Sequence, residues 1–196
     1  MMINDVRAAL ADDAWLATAA AEVASRPASI ARAFAVAARQ VGRDPLGDSG
    51  WTRDEAARVV LLESLRLPRS DLLAQVRQLY HNGDAAERRA VLRALPGLDV
   101  AGECVDLLAD ALRTNDTRLV AAALGPYARH LDAAAWRQAV LKCVFMGIPL
   151  SVVDGLADRA DDELAVMLDG LARERWAAHR SMPEDALALL DRLSVR

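Results

Sequence analysis

Helix start and stop signals recur along this chain at intervals of roughly 8 to 18 residues, and this punctuation limits the fold more than any single motif does. Asn4 is placed to cap a first helix through "DVRAALADDAWLATAAAEVA". Pro27 precedes a second, "ASIARAFAVAARQV", whose apolar residues Ile30, Phe34, Val36, Ala37 and Val41 follow a helical period. "GRDPLGDSGW" is rich in Gly, Pro, Asp and Ser and reads as a linker. Thr52 to Glu55 spells a capping box, and Asp84 to Glu87 a second. Between them Ser70 and Asp71 start a helix that ends at Gly83, where a left-handed residue is expected. Asp99 is expected to cap "VAGECVDLLADALR". Asn115 or Asp116 caps the next helix, Pro126 opens a short one, and Asp132 caps a longer one ending at Gly147. Pro149 starts a short piece, Asp161 or Asp162 leads "ELAVMLDGLARERWAAHR", and Pro183 leads the last helix.

No segment reads as a strand. Aromatic residues are only 4% of the chain and alanine is abundant, which favours close-packed helices over a β-sandwich. The predicted class is therefore all-α. Loops of a few residues imply consecutive antiparallel helix pairs, either a short α-solenoid of HEAT or armadillo type or an irregular helical bundle. At 196 residues the chain is read as one all-helical domain: N-terminal helices over 3–42, a linker over 43–51 and a core over 52–196.

Charge and motifs exclude several functions. The net charge is −4, and acids and arginines are interleaved, so nothing tracks a phosphate backbone and no nucleic-acid partner is expected. "ERRAVLR" reads as a solvated helix face. No run is long enough for a membrane span, no secretory leader precedes Trp15, and a cytoplasmic location is expected. Cys104 and Cys143 lie in apolar helical patterns and read as free buried thiols. Nucleotide-binding, hydrolase and metalloprotease signatures are absent, and His81, His130 and His179 lack metal-ligand spacing. Neither a metal nor a cofactor is predicted.

What remains is the segment from Arg113 to Lys142. "RTNDTR" concentrates amide, carboxylate and guanidinium groups at a helix joint, where Asn and Asp also serve as caps. "GPYARHL" offers Tyr127 and His130 around a proline-started turn. Lys142 is the chain's only lysine and sits in "WRQAVLKCVFMGI", a helix whose apolar residues occupy nearly every side and which is expected to be buried. Gln138, four residues earlier, shares its face. Two readings are open. Lys142 snorkels to solvent or pairs structurally with a carboxylate such as Asp116, or it lines a cavity and meets a ligand's acidic or carbonyl group. Asp116, Gln138 and Lys142 are expected to be neighbours.

"TND", "PY", "W-x-QAVLKC-x-F" and "G-x-PL" together closely resemble the EboA domain family. The resemblance extends over "LYHNGDAAERRAVLRALPGLD" and "RADDELAVMLDGLARERWAAHRSMPED", from about Ser70 to the C-terminus. It implies a cytoplasmic helical accessory protein of bacterial secondary metabolism. Its gene cluster also encodes products resembling a membrane prenyltransferase, a sugar-phosphate cyclase, a TIM-barrel isomerase-like protein and metal-dependent hydrolases, and is tied to making or moving precursors towards the periplasm. The family pattern covers Asn115, Asp116, Arg118, Tyr127, Trp136, Gln138, Lys142 and Cys143. The expected function is a non-catalytic or accessory one. The chain would bind a polar metabolite, with a phosphorylated sugar- or cyclitol-derived one as the example, or a pathway partner. Arg118 and Lys142 would supply charge, Asn115 and Gln138 would orient, Trp136 and Tyr127 would form walls, and Asp116 and His130 complete the candidate set. The alternatives are an enzyme that uses Lys142 as base or Schiff-base nucleophile on a sugar-derived carbonyl, and a pure protein scaffold.

Overall fold

The computed structural model describes residues 8–194. Asn4 lies outside them. Among the described residues there are eleven α-helices and four short 310 turns, and no strand beyond an isolated bridge between Pro45 and Thr52. The chain is all-α, as its punctuation predicts. It divides into two compact units, 1–107 and 108–196.

The first unit contains α1 (Ala14–Ser25), α2 (Ile30–Val41), α3 (Arg53–Glu63), α4 (Arg69–Asn82) and α5 (Ala85–Ala94). α3 is its centre and packs against α1, α2 and α5, while α4 packs on α5. Val59, Leu61 and Leu62 are fully buried there, with Ile30 and Phe34 of α2 and Val91 of α5. The helix predicted through "DVRAALADDAWLATAAAEVA" is interrupted, since residues 9–12 are turns and α1 starts at Ala14. Asp13 caps it, accepting from the Leu16 amide at 3.0 Å. Residues 43–51 fold back as a pinned turn: the Leu46 amide donates to the Trp51 carbonyl at 2.8 Å, and Trp51 is buried.

Both capping boxes form. In the second, the Asp84 amide donates to Glu87 and the Glu87 amide to Asp84, each at 2.9 Å. Gly83 is extended (φ −80°), not left-handed. Its glycine is required by space, since a Cβ would stand 2.8 Å from the Leu79 carbonyl oxygen and from Glu87 Cβ. Asp99 caps no helix either. Residues 101–104 are turns, Ala101 has φ 40°, and the helix starts at Val105.

The boundary between the units falls inside α6 (Val105–Arg113). The second unit continues with α7 (Thr117–Ala123), the 310 turn Pro126–His130, α8 (Ala133–Met146), the 310 turn Leu150–Val152, α9 (Leu156–Arg159), α10 (Asp162–Ala177) and α11 (Glu184–Ser194). α8 packs on α7 and α10, and α10 packs on α11. Asp132 caps α8 (Ala135 amide, 2.7 Å), Gly147 ends it in the left-handed region (φ 68°), and Asp161 caps α10 (Leu164 amide, 3.1 Å). The Leu150 amide donates to Asp185 of α11 at 2.7 Å and holds the turn after α8 in place.

α8 is not buried all round. Trp136, Ala139, Val140, Cys143 and Val144 form its inner face. Gln138 and Phe145 point outwards, and Phe145 is 67% exposed. Apolar residue type alone assigned Phe145 to the core; the packing of α7 and α10 covers only one side of the helix.

Candidate functional site

The candidates separate into an outer and an inner group, both within the second unit. The outer group starts at the joint between α6 and α7. Asp116 is the α7 N-cap, accepting from the amides of Arg118 (2.9 Å) and Leu119 (3.3 Å). Burial pushes its carboxyl upward, but hydrogen bonds from the Arg118 amide and guanidinium and the Leu119 amide outweigh this and hold it below its ordinary value. Arg118 reaches Asp116 only at 3.5 Å, and its side chain is 64% exposed. Asn115 is exposed.

Lys142 reaches this joint from α8. Its Nζ donates to the backbone carbonyl of Leu112 at 2.6 Å. Leu112 lies in the last turn of α6, where carbonyls have no partner within the helix and a cation is favoured by the dipole. The half-buried lysine thus closes a helix C-terminus; it makes no ion pair with Asp116, whose oxygens are taken by Arg118 and Leu119. Gln138 and Phe145 flank Lys142 on the outward face, one turn before and one turn after.

The inner group surrounds the 310 turn Pro126–His130. Tyr127 is buried and its ring lies 4.8 Å from that of the half-buried His130, tilted by 56°. Arg129 Nε donates to His130 Nε2 at 3.3 Å. Trp136 is 1% exposed. Over its ring sits Arg159 of α9, Cζ 4.7 Å from the centroid. The same guanidinium donates to the carbonyls of Ala128 (2.7 Å) and Leu131 (2.9 Å). Burial lowers the Arg159 pKa from its ordinary value. Sequence reasoning missed Arg159, because "GLADR" carries no local signal and its partners lie about thirty residues earlier. Arg137, beside Trp136, is fixed by Asp161, with Nε 2.9 Å from Oδ1.

Sequence reasoning also missed a charged cluster in the first unit. Arg58 and Asp54 are almost wholly buried and paired at 2.6 Å, and Arg58 Nε donates to the Phe34 carbonyl at 3.1 Å. Glu55 pairs with Arg89 (2.7 Å) and Arg93 (3.1 Å), and Arg93 stacks on Trp51. Of the "ERRAVLR" arginines, Arg89 and Arg93 are committed to α3 and the preceding turn, while Arg88 donates to the Gly83 carbonyl at 3.0 Å at the end of α4, so they do not form a free basic face. Burial lowers the Arg93 pKa to about 10, against the opposing pull of Glu55. Charges here balance, and the cluster reads as the internal scaffold of the α3–α5 pair.

Among the described residues no helix is long and apolar enough to cross a membrane, and no group of three or more His, Cys, Asp or Glu side chains is placed to hold a metal ion. No curated protein and no solved structure matches the chain at a significant level. Residues 34–191 match the family model described as "Metabolite traffic protein EboA". That span covers well over half of the chain, which therefore belongs to the EboA family.

Proposed function

We propose that the chain is a non-catalytic accessory protein of metabolite traffic that meets a polar, anionic metabolite of phosphorylated-sugar type at the α6–α7 joint and the outward face of α8. The observation that carries the non-catalytic part is the contact between Lys142 Nζ and the Leu112 carbonyl at 2.6 Å. A Schiff-base or general-base lysine needs its Nζ free to meet the substrate, whereas this Nζ is engaged by a carbonyl at a helix C-terminus. Support for the ligand class comes from Arg118. It is largely exposed, and its carboxylate partner among the described residues, Asp116, is already engaged by two backbone amides. Asn115 and Gln138 add exposed hydrogen-bonding groups.

Thermal unfolding of the whole chain with glucose 6-phosphate tests this. A ligand at ten times its Kd raises stability by about 1.4 kcal/mol, or about 3–5 °C in Tm for a chain of this size. Arg118→Ala, which leaves the Asp116 cap in place, should fold normally and lose most of that response. If neither glucose 6-phosphate nor a cyclitol phosphate moves the wild-type transition, the metabolite reading is wrong. A second reading, docking of a pathway protein, is favoured by one observation only, the 67% exposure of Phe145 beside Lys142.

A further inference from the structure

Two features of the second unit lack the same partner. The Arg159 guanidinium is half-buried and bonded only to neutral carbonyls, with no carboxylate within ion-pair distance among the described residues. The Trp136 indole nitrogen is buried and has no hydrogen-bond acceptor. Buried donors are nearly always satisfied, and a half-buried guanidinium bonded only to neutral carbonyls keeps its positive charge unneutralised. The two lie together, since Arg159 Cζ is 4.7 Å from the centroid of the ring that carries the orphan N–H. Both features call for an acceptor with negative charge. Among the described residues, the other buried charged cluster makes no such demand. Around Arg58 the buried charges neutralise one another.

We propose that Arg159 and the Trp136 indole N–H form a seat for a small oxyanion, the carboxylate or phosphate group of a metabolite. A guanidinium offers five donors, and two of them are used by Ala128 and Leu131. Charge-assisted bonds to an oxyanion form at about 2.7–2.9 Å, and in this proposal one anion takes the remaining guanidinium donors and the indole N–H together. The indole N–H is buried, and the turn Pro126–His130 is tied to Arg159 through the Ala128 carbonyl, so entry of the anion requires this turn to yield. This seat is separate from the outward face of α8, and neither proposal depends on the other.

The test is a titration of the 15N-labelled full chain, following the indole N–H signals, with the Trp136 signal assigned through Trp136→Phe. Sodium phosphate and sodium acetate are the two probes, and sodium chloride at matched ionic strength is the control. A saturable shift of the Trp136 signal with phosphate or acetate, while the signal of the exposed Trp176 stays put, is the expected result, and the stronger probe tells which group the seat takes. Arg159→Lys keeps the charge and loses the fork, and should weaken binding by about tenfold or more. If that variant does not fold, Trp136→Phe serves instead. It keeps an aromatic ring under the guanidinium, removes only the donor, and should weaken the saturable shift of the Arg159 side-chain N–H signal. A Trp136 signal that does not move, or one that drifts linearly with chloride as well, overturns the proposal. An anion bound only at the α8 outward face would shift the melting temperature without a saturable change at Trp136, so the two proposals fail separately.

Discussion

Replacing Lys142 by methionine isolates the work of one ammonium. Methionine keeps an unbranched apolar stem of similar length, so packing of the side chain between α8 and α6 changes little. What is lost is the bond from Nζ to the Leu112 carbonyl at 2.6 Å. Hydrogen bonds from charged donors contribute about 1.5–3 kcal/mol. A cation in the last turn of a helix adds about 0.3–1 kcal/mol through the dipole. Against this stands the partial dehydration that the half-buried ammonium no longer suffers, and water takes over part of the carbonyl's need. The net loss is about 1–2 kcal/mol, which for this chain length lowers Tm by about 2–8 °C. Urea unfolding should show a lower midpoint at an unchanged slope. Lys142→Arg, which keeps a cation within reach of the carbonyl, should recover most of the loss. A methionine variant as stable as the wild type, or more so, refutes the assignment of Lys142 as a helix C-terminal clamp.

Three further outcomes are expected. Arg58→Met leaves Asp54 buried without its partner at 2.6 Å and should cost about 3–5 kcal/mol, with Arg58→Met/Asp54→Leu recovering a large part; equal losses in both variants, measured by urea unfolding, would contradict the pairing. Asp161 is held below its ordinary carboxyl value of 3.8 by the hydrogen bond from Arg137. Its stabilisation is therefore complete above that value and disappears as pH falls through the lower folded pKa. The stability gap between wild type and Asp161→Asn, which retains a capping oxygen, should close in acid, and a pH-independent gap rules the pair out. Burial pushes the Cys143 thiol up to about 12, with Asp185 adding to the rise and Lys142 opposing it. Iodoacetamide at neutral pH should alkylate it only on unfolding, and rapid modification of the folded chain contradicts this.

Much of the fold was legible because helix ends are local. Asp116, Asp132 and Asp161 each bond to an amide two or three residues on, and a cap written in adjacent residues can be read from adjacent residues. Legibility failed where space or distant partners decide. Gly83 is needed because Glu87 and the Leu79 carbonyl crowd its α-carbon, which no φ preference reveals. Asp99 looked like a cap, yet the chain needs the turns at 101–104 before it enters α6. The candidate site was legible as a set of residue types and only partly as an arrangement. Lys142 is tied to the last turn of α6 at Leu112, through a backbone carbonyl that has no residue signature, and not to Asp116 by an ion pair. Arg58 and Arg159 find their carbonyl partners 24 and 28–31 residues away, so their roles appear only once the chain is folded.

A chain with a single lysine presents a lysine-specific endoprotease with one target bond, after Lys142. In the native molecule that bond lies within α8, four residues short of its end, and the side chain is tied to α6. Cutting there requires α8 to unwind locally, so the rate of this single cleavage follows the opening equilibrium of one helix, with no competing sites to correct for. Any ligand that settles on α8 or on the Leu112 joint slows that clock. The lone lysine therefore doubles as a built-in reporter of local opening in the second unit, readable on a gel as the conversion of one band into two.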